Sequence, residues 1–192
     1  LTVFLITKYS RFFGRTAAYI AAFAFVLTPG MEFYGRYAIH ESDFVFFFIL
    51  VFWGILGLYK EGHKKYLWSV VLGITGLIVT KETYIIHMVC FIAAWYLLNY
   101  LDKYLENVDS FIPAKQNWDK NDLRNSILLG IATILLLYTG FFVNYDGFFG
   151  IFETMAAWTN TGVHKGGHSK PFSYWFTLVL RYEHIFLIAA FL

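Results

Sequence analysis

Residues 43–59 read DFVFFFILVFWGILGLY: one carboxylate, Asp43, and then sixteen residues without a charge. A helix of this composition has no polar face to turn toward water, so it is buried all round, in a protein core or in lipid. Crossing about 30 Å of hydrocarbon takes about 20 apolar residues, and about 17 suffice when the end residues snorkel. Stretches of the same kind flank it: Phe12 to Tyr34, bent or ended near Pro29-Gly30, then Tyr66 to Val79, Tyr84 to Leu98, Arg124 to Val143 and Phe176 to Leu192. Leu1 to Thr7 reads as the tail of an earlier helix. Tyr66 to Val79 and Tyr84 to Leu98 are short and sit back to back around Thr80-Lys81-Glu82-Thr83, which predicts one buried helical hairpin rather than a helix with charges at mid-membrane.

The expected fold class is therefore all-α: a polytopic helical membrane protein, a single transmembrane domain over 1–192, with about six spans plus a truncated first one. Composition agrees. Apolar residues make up 58 % of the 192 and charged residues 15 %, against about 25 % charged in soluble domains. With a mean hydropathy of +0.55, too few polar residues remain to cover a water-soluble globule, which argues against a soluble enzyme. The 22 Phe, 14 Tyr and 6 Trp supply aromatic mass that membrane interfaces favour, and 15 Gly with 3 Pro exclude collagen. The one cysteine, Cys90, excludes an intramolecular disulfide and a Cys-based zinc site. The chain opens and closes inside apolar runs with no initiator Met and no signal pattern, so it reads as a fragment.

Lys and Arg set the orientation. Placing 8–15, 60–65 and 99–124 on one side gathers Lys8, Arg11, Arg15, Lys60, Lys64, Lys65, Lys103, Lys115, Lys120 and Arg124, ten of the fifteen positive residues, and makes that side cytoplasmic. The cell membrane is the expected location, with a cytoplasmic loop over 99–123. The outer side then holds 31–42, the Lys81-Glu82 turn and the stretch 144–175, in which Phe148 to Trp158 predicts an amphipathic helix lying on the membrane, followed by a Gly-rich basic loop.

Ionisable residues concentrate on that outer side. In Gly35-Arg36-Tyr37-Ala38-Ile39-His40-Glu41-Ser42-Asp43, a helix would place Arg36, His40 and Asp43 on one face, with Glu41 about 100° round from His40. Four such groups at the edge of hydrocarbon are costly unless they pair or face a wet cavity. Either they form a helix start, with Glu41 and Asp43 complementing the dipole while Arg36 snorkels, or they hold a phosphate, through Arg36 or through a metal on His40 and a carboxylate. Lys81-Glu82 is either a solvated turn or a point-charge phosphate binder. The loop His164-Lys165-Gly166-Gly167-His168-Ser169-Lys170-Pro171 is either merely basic or an anion cradle in which glycines admit the backbone. Arg181 and Glu183 fall in the last predicted span and need partners there. His63 and His87 read as structural. No G-x-G-x-x-G, Walker-type loop, H-E-x-x-H or G-x-S-x-G pattern occurs, so nucleotide chemistry has no support and nucleic acid is not an expected partner.

Taken in order, Thr28-Pro29, Gly35-Arg36-Tyr37-Ala38-Ile39-His40-Glu41, Val79-Thr80-Lys81-Glu82-Thr83, Trp158 with Gly162-Val163-His164-Lys165-Gly166-Gly167-His168, Pro171-Phe172-Ser173-Tyr174 and Arg181-Tyr182-Glu183 form a recognisable series. The series resembles archaeal and bacterial multi-span proteins described as flippase-activity-associated. That family lies in the GT-C glycosyltransferase superfamily, beside the dolichyl-phosphate-mannose protein mannosyltransferases and the bacterial aminoarabinose transferases. The likeness covers most of the chain; one departure is Phe172-Ser173-Tyr174-Trp175, where the family carries consecutive tyrosines.

The resemblance implies a GT-C-like, inverting membrane glycosyltransferase that takes a sugar from a polyprenyl-phosphate donor on the extracytoplasmic face and passes it to a protein, lipid or glycan acceptor. It implies a general-base carboxylate in a first outer loop, expected upstream of residue 1, so no catalytic residue is assigned here and this piece alone is expected to be inactive. It also implies basic residues, and in some members a divalent metal, at the lipid-phosphate leaving group. Arg36, Lys81 and either His164 or Lys165 are the expected donor-phosphate ligands. His40 with Glu41 or Asp43 is the expected metal or acceptor support, and Glu82, His168, Arg181 and Glu183 complete the substrate-binding set. The competing reading is a non-catalytic transporter or accessory protein for lipid-linked sugar translocation, with Arg36, His40, Glu41 and Lys81 along an ion or proton pathway.

Overall fold

The computed structural model describes residues 1–36, 40–102, 114–150, 152, 153, 156, 160, 171 and 173–182. Among these the chain is helical, with no strand: α1 (Thr2–Lys8), α2 (Ser10–Phe13), α3 (Arg15–Leu27), α4 (Pro29–Arg36), α5 (His40–Lys60), α6 (Lys64–Thr80), α7 (Tyr84–Asp102), α8 (Lys120–Tyr138) and α9 (Ser173–Tyr182). Residues 147–150, 152, 153, 156 and 160 are helical as well, within or beside the predicted amphipathic stretch.

The boundaries follow local chemistry. The predicted span from Phe12 to Tyr34 is three pieces. Gly14 at φ 85 separates α2 from α3 in a conformation that a side chain disfavours. Thr28 is extended (φ −69, ψ 119), as a residue before proline must be, and α4 leaves α3 at 61°. α8 starts at Lys120 rather than Arg124 because Asp119 and Asp122 form a reciprocal cap: the Asp122 amide donates to Asp119 Oδ1 at 2.7 Å and the Asp119 amide to Asp122 Oδ2 at 3.3 Å. Residues 120–123, expected in the loop, are therefore helix. α8 stops at Tyr138, five residues before the predicted Val143. Gly140, Phe141 and Phe142 all take positive φ there (55, 61 and 65), and the Phe142 amide donates to Thr139 Oγ1.

By length and composition, two helices are suited to crossing a membrane: His40–Lys60, with 21 residues, and Tyr84–Leu101, with 18. The bent α3–α4 pair makes a third if it counts as one span. The other predicted spans fall short of that test for visible reasons. α6 has 17 residues, α8 opens on Lys120, Asp122 and Arg124, and α9 has 10. Residues 183–192 of the last predicted span lie outside the described residues.

α5 and α6 are the tightest pair, running antiparallel from a three-residue turn at 61–63. Gly54 and Gly57 on α5 meet Tyr66 and Val70, while Gly73 and Gly76 on α6 meet Val51 and Phe47. The i, i+3 spacing puts each glycine pair on one face, and removing Cβ lets the backbones approach. α8 lies along the far side of α6, parallel to it, with Gly130 against Thr75 and Val71 and the Tyr138 hydroxyl donating to the Ile78 carbonyl at 3.2 Å. Tyr9, between α1 and α2, donates its hydroxyl to the Ile49 carbonyl at 2.6 Å and so fixes the N-terminal helices to the middle of α5. The predicted α6–α7 hairpin is replaced by a different pairing. α6 lies between α5 and α8, and α7 meets α5 through rings: His87 is edge-on to Phe44 and Phe48 at 4.8 and 5.2 Å, and Phe91 stacks on Phe48 at 5.3 Å. The core is Phe44, Val51 and Leu77, with Tyr84 and Met88 against it.

At the α5–α6 turn, burial pushes the Glu61 carboxyl up, but hydrogen bonds from the Tyr66 hydroxyl (2.8 Å) and the Arg11 guanidinium outweigh it and hold Glu61 below the usual carboxylate range. A lowered folded pKa contributes stability that is fully present above the unfolded value, about 4.3, and is lost as pH falls through the folded value. The thermal midpoints of wild type and Glu61→Gln are therefore expected to differ at pH 7 and to converge in acid. A gap that stays constant with pH would rule out this contribution.

Candidate functional site

The end of α5 remote from Glu61 brings together ionisable groups from two helices. Twenty residues of helix separate Glu41 from Glu61, about 30 Å at 1.5 Å per residue. Lys81 follows α6 in an extended conformation (φ −159, ψ 137), its amide donating to the Leu77 carbonyl. That geometry turns its side chain across to the first turn of α5, where Nζ donates to Glu41 Oε1 at 2.7 Å. Forty residues of sequence separate the partners, so the contact is tertiary. The side chains are 25 % and 32 % exposed, which makes this pair neither a surface ion pair nor a fully buried one. His40 Nε2 stands 3.7 Å from the same Glu41 oxygen. Glu41 Oε2 is buried and has no hydrogen-bond partner among the described residues.

Below the pair, His87 Nδ1 lies 3.1 Å from the Thr83 carbonyl, and its ring packs against Phe44, one turn along α5 from Glu41. That contact fits the structural role expected of His87. On the α8 side, the Tyr138 hydroxyl closes the end of α6 by its bond to Ile78. Phe44 of α5, His87 of α7 and Tyr138 of α8 thus pack or bond next to the helix ends that carry the charged pair.

Of the expected site residues, Lys81, Glu41 and His40 are brought together. Arg36 is not joined to them by an ion pair: it closes α4, exposed, and pairs with Glu32 one turn back, on the edge of an open cleft of about 510 Å³ with Pro29 and Phe33. Residues 37–39 lie outside the described residues, so the helix expected to run through Arg36, His40 and Asp43 is seen only as the end of α4 and the start of α5. Asp43 is exposed in the first turn of α5, where its charge complements the helix dipole. Glu82 is half-buried beside Lys81. Arg181 is exposed in the last turn of α9, the favourable end for a cation. His164, Lys165, His168 and Glu183 lie outside the described residues.

His40 and Glu41 do not by themselves make a metal centre. The Lys81 ammonium occupies Oε1, the Glu41 oxygen that His40 faces, and among the described residues no group of three or more His, Cys, Asp and Glu is gathered to hold an ion. What the arrangement can do is hold an anion. An ammonium has three donors, and Glu41 takes one of them.

Sequence reading named both members of the Lys81–Glu41 pair without joining them, and it left out the network of Arg11, Glu61 and Tyr66 at the other end. The available signal there was a lone acid, Glu61, set among Lys60, Lys64 and Lys65 between two apolar runs. No protein-family model, curated protein or solved structure matches this chain.

Proposed function

We propose that this chain forms the donor-phosphate side of a membrane glycosyltransferase of GT-C type, with six spans and a truncated first one, its active face extracytoplasmic and its donor a polyprenyl-phosphate sugar. The observation that carries the reading is the Lys81–Glu41 pair: an ammonium at the end of one apolar helix, positioned by a carboxylate at the start of another, with His40 beside it. Two Lys81 N–H groups remain for phosphoryl oxygens. As the bond from sugar to phosphate breaks, charge accumulates on the departing lipid phosphate, and a fixed ammonium stabilises that charge more than it stabilises the ground state. His40, 3.7 Å from the same Glu41 oxygen, offers a further ring N–H to the phosphate. The orphaned Glu41 Oε2 accepts a hydroxyl of the bound sugar. Arg36, and from the resemblance His164 or Lys165, extend the phosphate site.

A transporter reading places charge in mid-helix along a pathway. Glu41 and Lys81 sit at helix ends, which supports the transferase over an ion pathway.

The test is transfer of labelled sugar from a polyprenyl-phosphate donor by the full-length protein in liposomes. Lys81→Gln is expected to lower turnover by about a hundredfold or more, the usual loss when one donor to a developing anion is removed. Unchanged turnover in that variant rejects the phosphate role. Wild-type protein that moves the lipid-linked sugar across the bilayer without transferring it rejects the enzyme.

A further inference from the structure

The other end of the α5–α6 pair is built around residues 114–119. This short strap lies on the α5–α6 turn: the Ala114 amide donates to the Tyr59 carbonyl, the Gln116 side-chain amide to Leu58, and the Asn117 amide to Gly62. The first two bonds satisfy carbonyls that the end of α5 would otherwise leave open, and the third ties the strap to the turn. Gly62 sits at φ 68 with the Lys115 carbonyl 2.3 Å from where a Cβ would be, so the strap lies directly on the backbone.

Between strap and helices lies an open cleft of about 800 Å³, with His63, Lys64 and Lys65 on one wall and Trp118, Asp119 and Asp122 on the other. The two walls differ in available charge. Asp119 and Asp122 are engaged in the capping box of α8, where they neutralise that helix's own N-terminus. Lys64 and Lys65 are exposed, and among the described residues the ion pairs at this end are those of Glu61 with Arg11 and with His63. Among the described residues neither ammonium has a carboxylate at ion-pair distance, although Lys64 acts on Asp119 and Lys65 on Glu61 from further away. Lys65 Nζ lies 4.7 Å above the Tyr66 ring, which fixes its position. His63, at the N-cap of α6, makes no side-chain hydrogen bond to the first turn, so the positive helix end adds to the lysines.

We propose that this cleft binds the phosphate headgroup of an anionic phospholipid from the adjoining leaflet. Its position selects a lipid over a free anion. Trp118 stands at the cleft, and exposed Leu72 on α6 and Ile127 and Ile131 on α8 begin one to three turns further on, offering acyl chains an apolar path beside the headgroup.

The experiment is binding of phosphatidylglycerol to the full chain in neutral-lipid nanodiscs, read by native mass spectrometry, for wild type and for Lys64→Gln/Lys65→Gln. At about 1 kcal/mol per lysine near an anionic headgroup, the double variant is expected to bind roughly thirtyfold more weakly. Lys8→Gln/Arg15→Gln, with the same change in net charge, is expected to bind like wild type, and inorganic phosphate is expected not to compete. Equal binding by wild type and the Lys64/Lys65 variant overturns the site. Equal losses in the two variants reduce it to net charge, and displacement by inorganic phosphate makes it a free-anion site. Because both lysines are exposed, the variant is expected to keep the wild-type thermal midpoint in neutral lipid, which separates lost binding from lost fold.

Discussion

Lys81→Met is expected to destabilise the protein by roughly 1–3 kcal/mol, between the values for surface and buried pairs, and Glu41→Gln/Lys81→Met is expected to recover most of the loss. Among the described residues, the single variant removes the side-chain donor to Glu41 Oε1 while Oε2 is already buried and unpartnered, leaving the carboxylate without its cation at the head of an apolar helix. His40, 3.7 Å away, is too distant to replace that bond. In the double variant a neutral amide and a thioether replace the charges, and the uncompensated charge disappears. Thermal unfolding in detergent of wild type, both singles and the double completes the cycle. If the double variant is as unstable as Lys81→Met, the pair does not set the geometry of the α5–α6 end, and the site built on it loses its positioning element.

The second large effect is expected from Gly54→Ala/Gly73→Ala. A Cβ at Gly54 would lie 2.8 Å from both the Tyr66 carbonyl oxygen and the Val70 amide nitrogen; one at Gly73 would lie 2.9 Å from the Val51 amide and 3.0 Å from the Phe47 carbonyl. These neighbours are backbone, so the strain cannot be relieved by rotating a side chain, and the helices must move apart. Overpacking of this kind costs about 1–3 kcal/mol per site. The two sites share one interface, so their effects are expected not to add fully. Gly35→Ala, in α4 with open space where its Cβ would lie, is the matched control and is expected to be neutral. A double variant with wild-type unfolding would mean that α5 and α6 are not held by backbone contact.

The apolar runs of α5 and α7 were legible because burial on every side leaves a run of apolar residues that needs no partner to be recognised. The bend at Thr28-Pro29 was legible because proline restricts the residue before it. The break at Gly14 was not foreseen, although Arg11 and Arg15 flank it, because Phe12 and Phe13 were counted with the apolar residues that follow Thr16. The glycine pairs of α5 and α6 were visible in the letters at i, i+3 but carried no meaning until each had a facing helix. The start of α8 was within reach: Asp119 and Asp122 have the spacing of a capping box, though an acid replaces the usual Ser or Thr.

By itself, the sequence determined an all-helical chain of long apolar runs, its connections at 60–65 and 80–83, and the short set of ionisable residues from which a site must be drawn. Those properties depend on composition and on neighbours within a few residues. The tertiary structure alone decided that Lys81 meets Glu41 and not Arg36, that Arg36 closes on Glu32, that α6 packs between α5 and α8 rather than against α7, and that the strap at 114–119 opens a basic cleft at the far end. Each is a contact between residues distant in the chain. It is selected by which backbones glycine allows to approach and which carboxylate lies within reach of which cation, and no local pattern encodes either.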